Sequence, residues 1–206
     1  MLIATLYGGY LITKRFSSLI TTYLEQKLLN STRTHAKAAA YRKQITPELR
    51  KLLSEVALET GADRALLFEY SNGTSNLVGL PFLYTTATCE VVKPNVAAVS
   101  HLYQKINTAI VAEFLEKLEE TGYFYIDDLE NQKDSLPIVY AFMKPNNVQS
   151  ALFYALYGVD DTIGFIVIST VAPHSFGRKE TLPRLAETAQ IISSLLNFDK
   201  IHQDLE

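Results

Sequence analysis

Among 206 residues the sequence has one cysteine and no tryptophan. A lone Cys89 cannot close an internal disulfide, which excludes a secreted, disulfide-stapled scaffold. No charge of one sign dominates: 19 Lys and Arg stand against 22 Asp and Glu, a net charge of −3. Without a basic stripe, a nucleic-acid surface is not expected. The four histidines, His35, His101, His174 and His202, are scattered with no ligand spacing. Asp127-Asp128-x-Glu130 and Asp160-Asp161 read as acidic turns, because a calcium loop needs more oxygens at set spacing. Gly73, Gly79 and Gly158 do not form a phosphate loop, and no Ser-His-Asp arrangement can be built. A metal centre, a cofactor and an enzyme are therefore not expected.

The length suits one domain with appendages, at roughly 100–200 residues per domain. Residues 1–15 open the chain with an uncharged apolar run, MLIATLYGGYLIT, then Lys14 and Arg15. A membrane helix needs about 20 apolar residues, so this run alone is too short. Two readings stay open. It is a short membrane anchor reaching to residue 20 with Lys14 and Arg15 snorkelling, or a helix buried in a partner protein. The first makes the protein membrane-associated, and the second places it inside a large assembly or virion. Residues 16–46 read as a helical stalk, with Phe16, Leu19, Ile20, Tyr23, Leu24 and Leu28 near a heptad stripe. That stripe supports either a homodimer through residues 16–45 or one face packed on its own domain.

Thr46-Pro47-Glu48 predicts a break and a fresh helix, with Thr46 as cap and Pro47 in the first turn. The main domain then spans 47–200, leaving 201–206 as a tail. Leu49, Leu52, Leu53 and Val56 form the helix's buried face, and Gly61 ends it. Ala65 to Tyr70 and Phe82 to Val92 read as strands around a turn-rich loop, Ser71 to Pro81, which carries Asn72-Gly73, Asn76 and Gly79. Ile106, Ile110, Phe114 and Leu118 recur at helical spacing up to Gly122. A short strand (Tyr123 to Ile126), an acidic loop and a short helix (Leu136 to Lys144) follow. Gln149 to Tyr157 and Thr162 to Val171 form the clearest hairpin, and a helix from Arg178 to Phe198 has Pro183 in its first turn. This order predicts an α+β fold: a central antiparallel sheet of about five strands with helices on both faces, preceded by a long N-terminal helix.

From Glu48 to Phe198 the element order resembles a GAF domain. The pair TIGFIVISTV and SFGRKETLPRLAETAQIISSLL is similar to that family's last strand and closing helix. The segment EYSNGTSNLVGLPF…CEVV resembles a divergent GAF-like group of bacterial and tailed-phage proteins. That group includes holins in which a membrane segment precedes a soluble domain that binds an antiholin. The resemblance thus implies a tethered, non-enzymatic sensor or partner-binding module, holin-like, with a protein partner or a small ligand. The alternative is a structural subunit that uses the domain as a docking surface. The Asn-Lys-x-Asp set of cyclic-nucleotide GAF domains is absent, and Cys89, within a strand, is not placed to hold a bilin.

A pocket is expected on the sheet face opposite the terminal helices. Its ligand or partner contacts are predicted to be Glu69, Asn72, Gly73, Asn76, Gly79, Phe82, Thr86, Thr88, Glu90 and Tyr154, with Tyr84 and Phe153 as further walls. A one-residue register slip inverts such an assignment.

Overall fold

The computed structural model describes residues 36–75, 81–159, 161–173, 176 and 178–203. Two compact units divide at Gln44 and Ile45. Helix α1 covers residues 36–60, and residues 36–44 are the described part of the first unit. The expected break at Thr46-Pro47 is not seen: both residues are helical. Pro47 thus lies inside a helix, where it forgoes one backbone donor, rather than opening a new one. Residues 1–20 and the heptad stripe lie outside the described residues. No described helix is long and apolar enough to cross a membrane.

The second unit, Ile45–Glu206, holds the sheet. Leu49, Leu53 and Val56 of α1 are fully buried in it. Gly61 ends the helix at φ 73, a left-handed value that glycine adopts without steric cost. Six strands follow: β1 (Arg64–Ser75), β2 (Pro81–Val92), β3 (Ile106–Asn107), β4 (Tyr123–Ile126), β5 (Ser150–Tyr157) and β6 (Thr162–Thr170). They lie in the order β3-β2-β1-β6-β5-β4, antiparallel at every pairing. Helices α2 (Ala112–Thr121), α3 (Pro137–Met143) and α4 (Arg178–Gln203) complete the domain. This is the expected α+β architecture with one strand more than anticipated.

The extra strand explains a misread helix. Ile106 pairs with Thr85 and Asn107 with Tyr84, so the run begins on the sheet edge. Asn107 then turns the chain, its Oδ1 accepting the Ala109 amide at 2.9 Å. Only Phe114 and Leu118 of the helical stripe lie on α2, where both are buried. Gly122 closes α2 at φ 77, and its amide donates to the Leu118 carbonyl.

The central strands show why the sheet is stable. β6 is buried from Gly164 to Thr170, and β5 along most of its length. Such strands carry near-continuous apolar runs because both faces are covered. On one face α4 packs against β5 and β6, burying Leu185, Ala189 and Ile192. Each large apolar side chain so buried contributes about 1.5–3 kcal/mol. Pro183 falls in the second turn of α4, and the helix outruns its predicted end at Phe198. On the opposite face a cluster gathers Leu66, Phe68, Phe114, Val139, Phe153 and Phe165 from strands, α2 and α3.

The loop expected from Ser71 to Pro81 is mostly strand. β1 runs to Ser75 and β2 starts at Pro81, opposite it in the ladder. Only residues 76–80 lie between the strands, so Asn76 and Gly79 fall outside the described residues.

Candidate functional site

A cavity of about 80 Å³ opens between the sheet and the layer formed by α2 and α3. Its floor is the alternate residues Leu66 and Phe68 of β1, Phe165 and Val167 of β6, and Phe153 of β5. Period-two alternation puts them on one face. Phe114 and Leu115 come from α2, and Val139 and Met143 from α3. The aromatic rings interlock. Phe68 and Phe165 stack at 4.7 Å with planes 12° apart, and Phe114 meets Phe153 edge-on at 4.8 Å. These are the favoured offset and T-shaped geometries.

One end of the cavity is closed by residues 93–105, and side chains hold this segment down. Glu90 accepts the Val99 amide with both oxygens, at 2.8 and 3.0 Å, and the Ser100 amide at 2.8 Å. Arg64 Nε donates to the Ala97 carbonyl at 3.0 Å. Tyr103 donates its hydroxyl to the Phe142 carbonyl and receives Asn146 Nδ2, tying the segment to α3 and the turn after it. Burial pushes the Tyr103 phenol above its ordinary value, against the opposing pull of Asn146 and Arg64.

Two polar groups in this apolar chamber are incompletely used. Arg64 is 3% exposed, and its Nη1 finds no acceptor among the described residues. Thr85, also 3% exposed, has a buried hydroxyl with no partner among the described residues. Both residues line the cavity. Buried donors without acceptors are rare and costly, at about 1–3 kcal/mol each and more when charged.

No family model and no curated protein matches the chain. Solved structures do. It superposes on the blue-light absorbing form of the PixJ GAF domain of Thermosynechococcus elongatus with a TM-score of 0.63 and 15% identity, over 81% of this chain and 93% of that one. The phycoerythrobilin-bound GAF domain of a cyanobacterial phytochrome gives 0.55 and 12%, over 80% and 97%. The chromophore-binding domain of a bacteriophytochrome from R. palustris gives 0.60 and 11%, over 83% and 64%.

The chain has the GAF fold.

On this GAF sheet the expected site residues separate into groups. Phe153 lines the cavity. Glu90 pairs with Leu66 and so faces the same side, but its carboxylate is committed to the Val99 and Ser100 amides. It serves the cavity by holding its closure. Glu69 and Thr86 pair across the ladder one step from Phe68 and Ala87, and so point to the far face. Thr88 donates to Glu69 Oε1, and Thr86 Oγ1 accepts the Lys105 amide at 3.1 Å. Tyr154 pairs with Ile166, also off the cavity. Tyr84 pairs with Ser71 and is likewise one step out of register with the lining residue Thr85. Asn72 is exposed beside a separate surface groove with Leu83 and Tyr157. Gly73 lies on β1 and Phe82 on β2, and the surroundings of neither are among those described.

The inversion has a specific cause. β1 and β2 keep register from Arg64↔Val92 to Leu67↔Cys89, then shift so that Phe68 pairs with Ala87. Thr88 is the extra residue of a β-bulge, which resets alternation along β2. Thr85 and Ala87 therefore share a face with Glu90, while Thr86 does not. Cys89 pairs with Leu67 on the far face, buried and away from the cavity.

Sequence reasoning missed Arg64, Thr85 and Tyr103. For Arg64 a signal was present: the Leu66, Phe68, Tyr70 alternation, extended back two residues, places it on the same face. Tyr70 itself is half-buried beside Glu119, and burial, then that carboxylate, push its hydroxyl well above the ordinary value.

Proposed function

We propose that this chain is a non-enzymatic regulatory module that binds a small molecule in the cavity between β1, β6, α2 and α3 and passes the occupancy to a protein partner. The observation that carries this reading is the cavity itself, apolar, closed by a side-chain-pinned segment, and set where buried polar atoms of Arg64 and Thr85 lack partners. The GAF neighbours named for bound or absorbing chromophores support it by analogy. At about 80 Å³ the cavity is far below the roughly 300–1,000 Å³ of sites for drug-sized ligands, so a tetrapyrrole is not the expected guest. Arg64 and Tyr103 are its titratable lining groups, and with no carboxylate or imidazole there it offers no general acid–base pair.

The test is a melting-temperature screen of the full chain against small metabolites, repeated on Val139→Phe, which fills the cavity. A stabiliser that acts on the parent and not on the folded variant supports the reading. Absence of any such compound, with the variant folded, overturns it.

A second reading is favoured by the aromatic filling. The domain then binds proteins alone, as a docking subunit of a larger assembly such as a virion. The membrane-tethered, lysis-regulating form of the first reading rests on the resemblance and on residues 1–20. It predicts that the full chain partitions into membranes and that a chain starting at Lys14 does not.

A further inference from the structure

We propose that the open groove beside Asn72, Leu83 and Tyr157 is a docking site for a basic, amphipathic segment of a partner protein, its apolar side chains on the groove floor and its Lys or Arg against the groove's carboxylates; this names the surface for the protein partner in the reading above and rests on that part of it.

Two depressions make up the groove and share Tyr70, Leu83 and Glu119. Their volumes are about 310 and 870 Å³, against about 80 Å³ for the enclosed cavity, so this surface has room for the side chains of a polypeptide. Tyr70 and Leu83 share one face of the β1–β2 ladder, because Leu83 pairs with Asn72, two residues on from Tyr70. Ala112, Leu115, Glu116 and Glu119 recur three or four apart and so form one side of α2. Tyr157, Val159 and Asp161 come from the end of β5 and the turn to β6.

The floor is apolar and open. Leu83, Tyr157 and Val159 are 43%, 46% and 69% exposed. Of nine large apolar side chains so exposed among the described residues, three meet at this one groove. Apolar surface gathered within a polar rim is the mark of an interaction site.

The rim sets the charge of the partner. Glu116, Glu119 and Asp161 are exposed, and among the described residues no Lys, Arg or His lines either depression. On α2, Glu113 has Lys117 at 2.7 Å, whereas Glu116 and Glu119 make no ion pair among the described residues. A negative rim repels the phosphates of nucleic acid and of anionic lipid, which leaves a protein surface. Of protein surfaces it favours those carrying Lys and Arg and rejects acidic ones. Leu115 lines both groove and cavity, and Tyr70 meets Phe165 of the cavity floor edge-on at 6.2 Å. α2 and β1 are therefore walls common to both sites.

The experiment uses the full chain and the fluorescence anisotropy of three labelled peptides. The first carries lysine and leucine on opposite helical faces, the second has serine for leucine, and the third has glutamate for lysine. Saturable binding of the first is expected, with the other two weaker by about tenfold or more. Glu116→Gln combined with Glu119→Gln should weaken it about fivefold, and Leu83→Ser about tenfold, both at unchanged melting temperature. Glu113→Gln, on the same helix but outside the groove, should leave binding unchanged. The proposal is wrong if the serine peptide binds as tightly as the leucine one, if the double variant binds like the parent, or if Glu113→Gln weakens binding as much as the double variant does. Self-association of the parent without peptide, lost in the double variant, assigns the groove to a second copy and overturns the partner assignment. Folded Val139→Phe is expected to keep the peptide. If it does while no cavity ligand is found, the small-molecule reading alone falls. If a cavity ligand is found and no peptide binds, this proposal alone falls.

Discussion

Asp63 and Val171, 108 positions apart, are joined by a 2.9 Å hydrogen bond from the Val171 amide to Asp63 Oδ2. The other carboxylate oxygen meets Lys93 Nζ at 3.1 Å, and the Asp63 amide donates to the Ser169 carbonyl at 2.9 Å. One short turn thus ties the entry of β1 to the exit of β6 and the end of β2.

This knot gives a pH prediction. Burial pushes the Asp63 carboxyl up, but the Val171 amide, Lys93 and Arg64 together outweigh it and hold the group below its ordinary value. A depressed folded pKa stabilises the native state above the unfolded value, about 3.9, and that stability is lost as pH falls through the folded value. Asp63→Ala should cost about 2 kcal/mol at neutral pH. In urea titrations its deficit should shrink as the pH is lowered below 4. A deficit that stays constant with pH would contradict the assignment.

Gly164 gives a steric prediction. A Cβ built on it would sit 2.0 Å from the Phe68 carbonyl oxygen, a backbone atom in the paired strand. Neither strand can yield without breaking the β1–β6 ladder. Gly164→Ala should destabilise by about 3 kcal/mol, visible in thermal melts. Gly158→Ala should be milder: its Cβ would meet the movable Ile163 side chain at 2.7 Å, and its nearest backbone atom, the Asp161 carbonyl oxygen, stands at 3.0 Å rather than 2.0 Å.

Glu90 supplies a local prediction. Its carboxylate is the acceptor for the Val99 and Ser100 amides. Glu90→Ala should accelerate hydrogen exchange at those two amides by about tenfold or more while leaving β5 and β6 protected. Unchanged exchange at Val99 and Ser100 would mean the segment is held by other contacts.

The surface pair on α1 and α4 should matter little. Arg184 reaches Glu59 through Nη2 at 3.1 Å and Glu187 through Nη1 at 2.8 Å, with its side chain 30% exposed. Arg184→Ala is expected to cost no more than about 1 kcal/mol, and less in high salt. Chemical denaturation at two salt concentrations reads both numbers.

Much of the fold was legible because its central strands announce themselves. QSALFYALY and TIGFIVISTV are apolar on both faces, and the Gly158 turn between them closes with the Gly158 amide on the Asp161 carbonyl at 2.7 Å. The site was less legible, for a reason visible at Thr88. The run TTATCEVV carries no mark of the extra residue, so unbroken alternation puts Thr86, Thr88 and Glu90 together, whereas the bulge keeps only Glu90 on the cavity side. Ile106 was misread because its spacing to Phe114 mimics a helix across a strand and a turn. Pro47 was misread because local propensity favours a start where tertiary burial of Leu49 and Leu53 keeps the helix going.

The placement of Cys89 on the far face of β2 has a practical corollary. The chain carries one thiol, buried on that face. A thiol reagent in excess can reach it only when the packing over that face opens, so the labelling rate times how often the face is uncovered. The protein thus holds a built-in clock for the loosening of that packing layer, readable without introducing any probe.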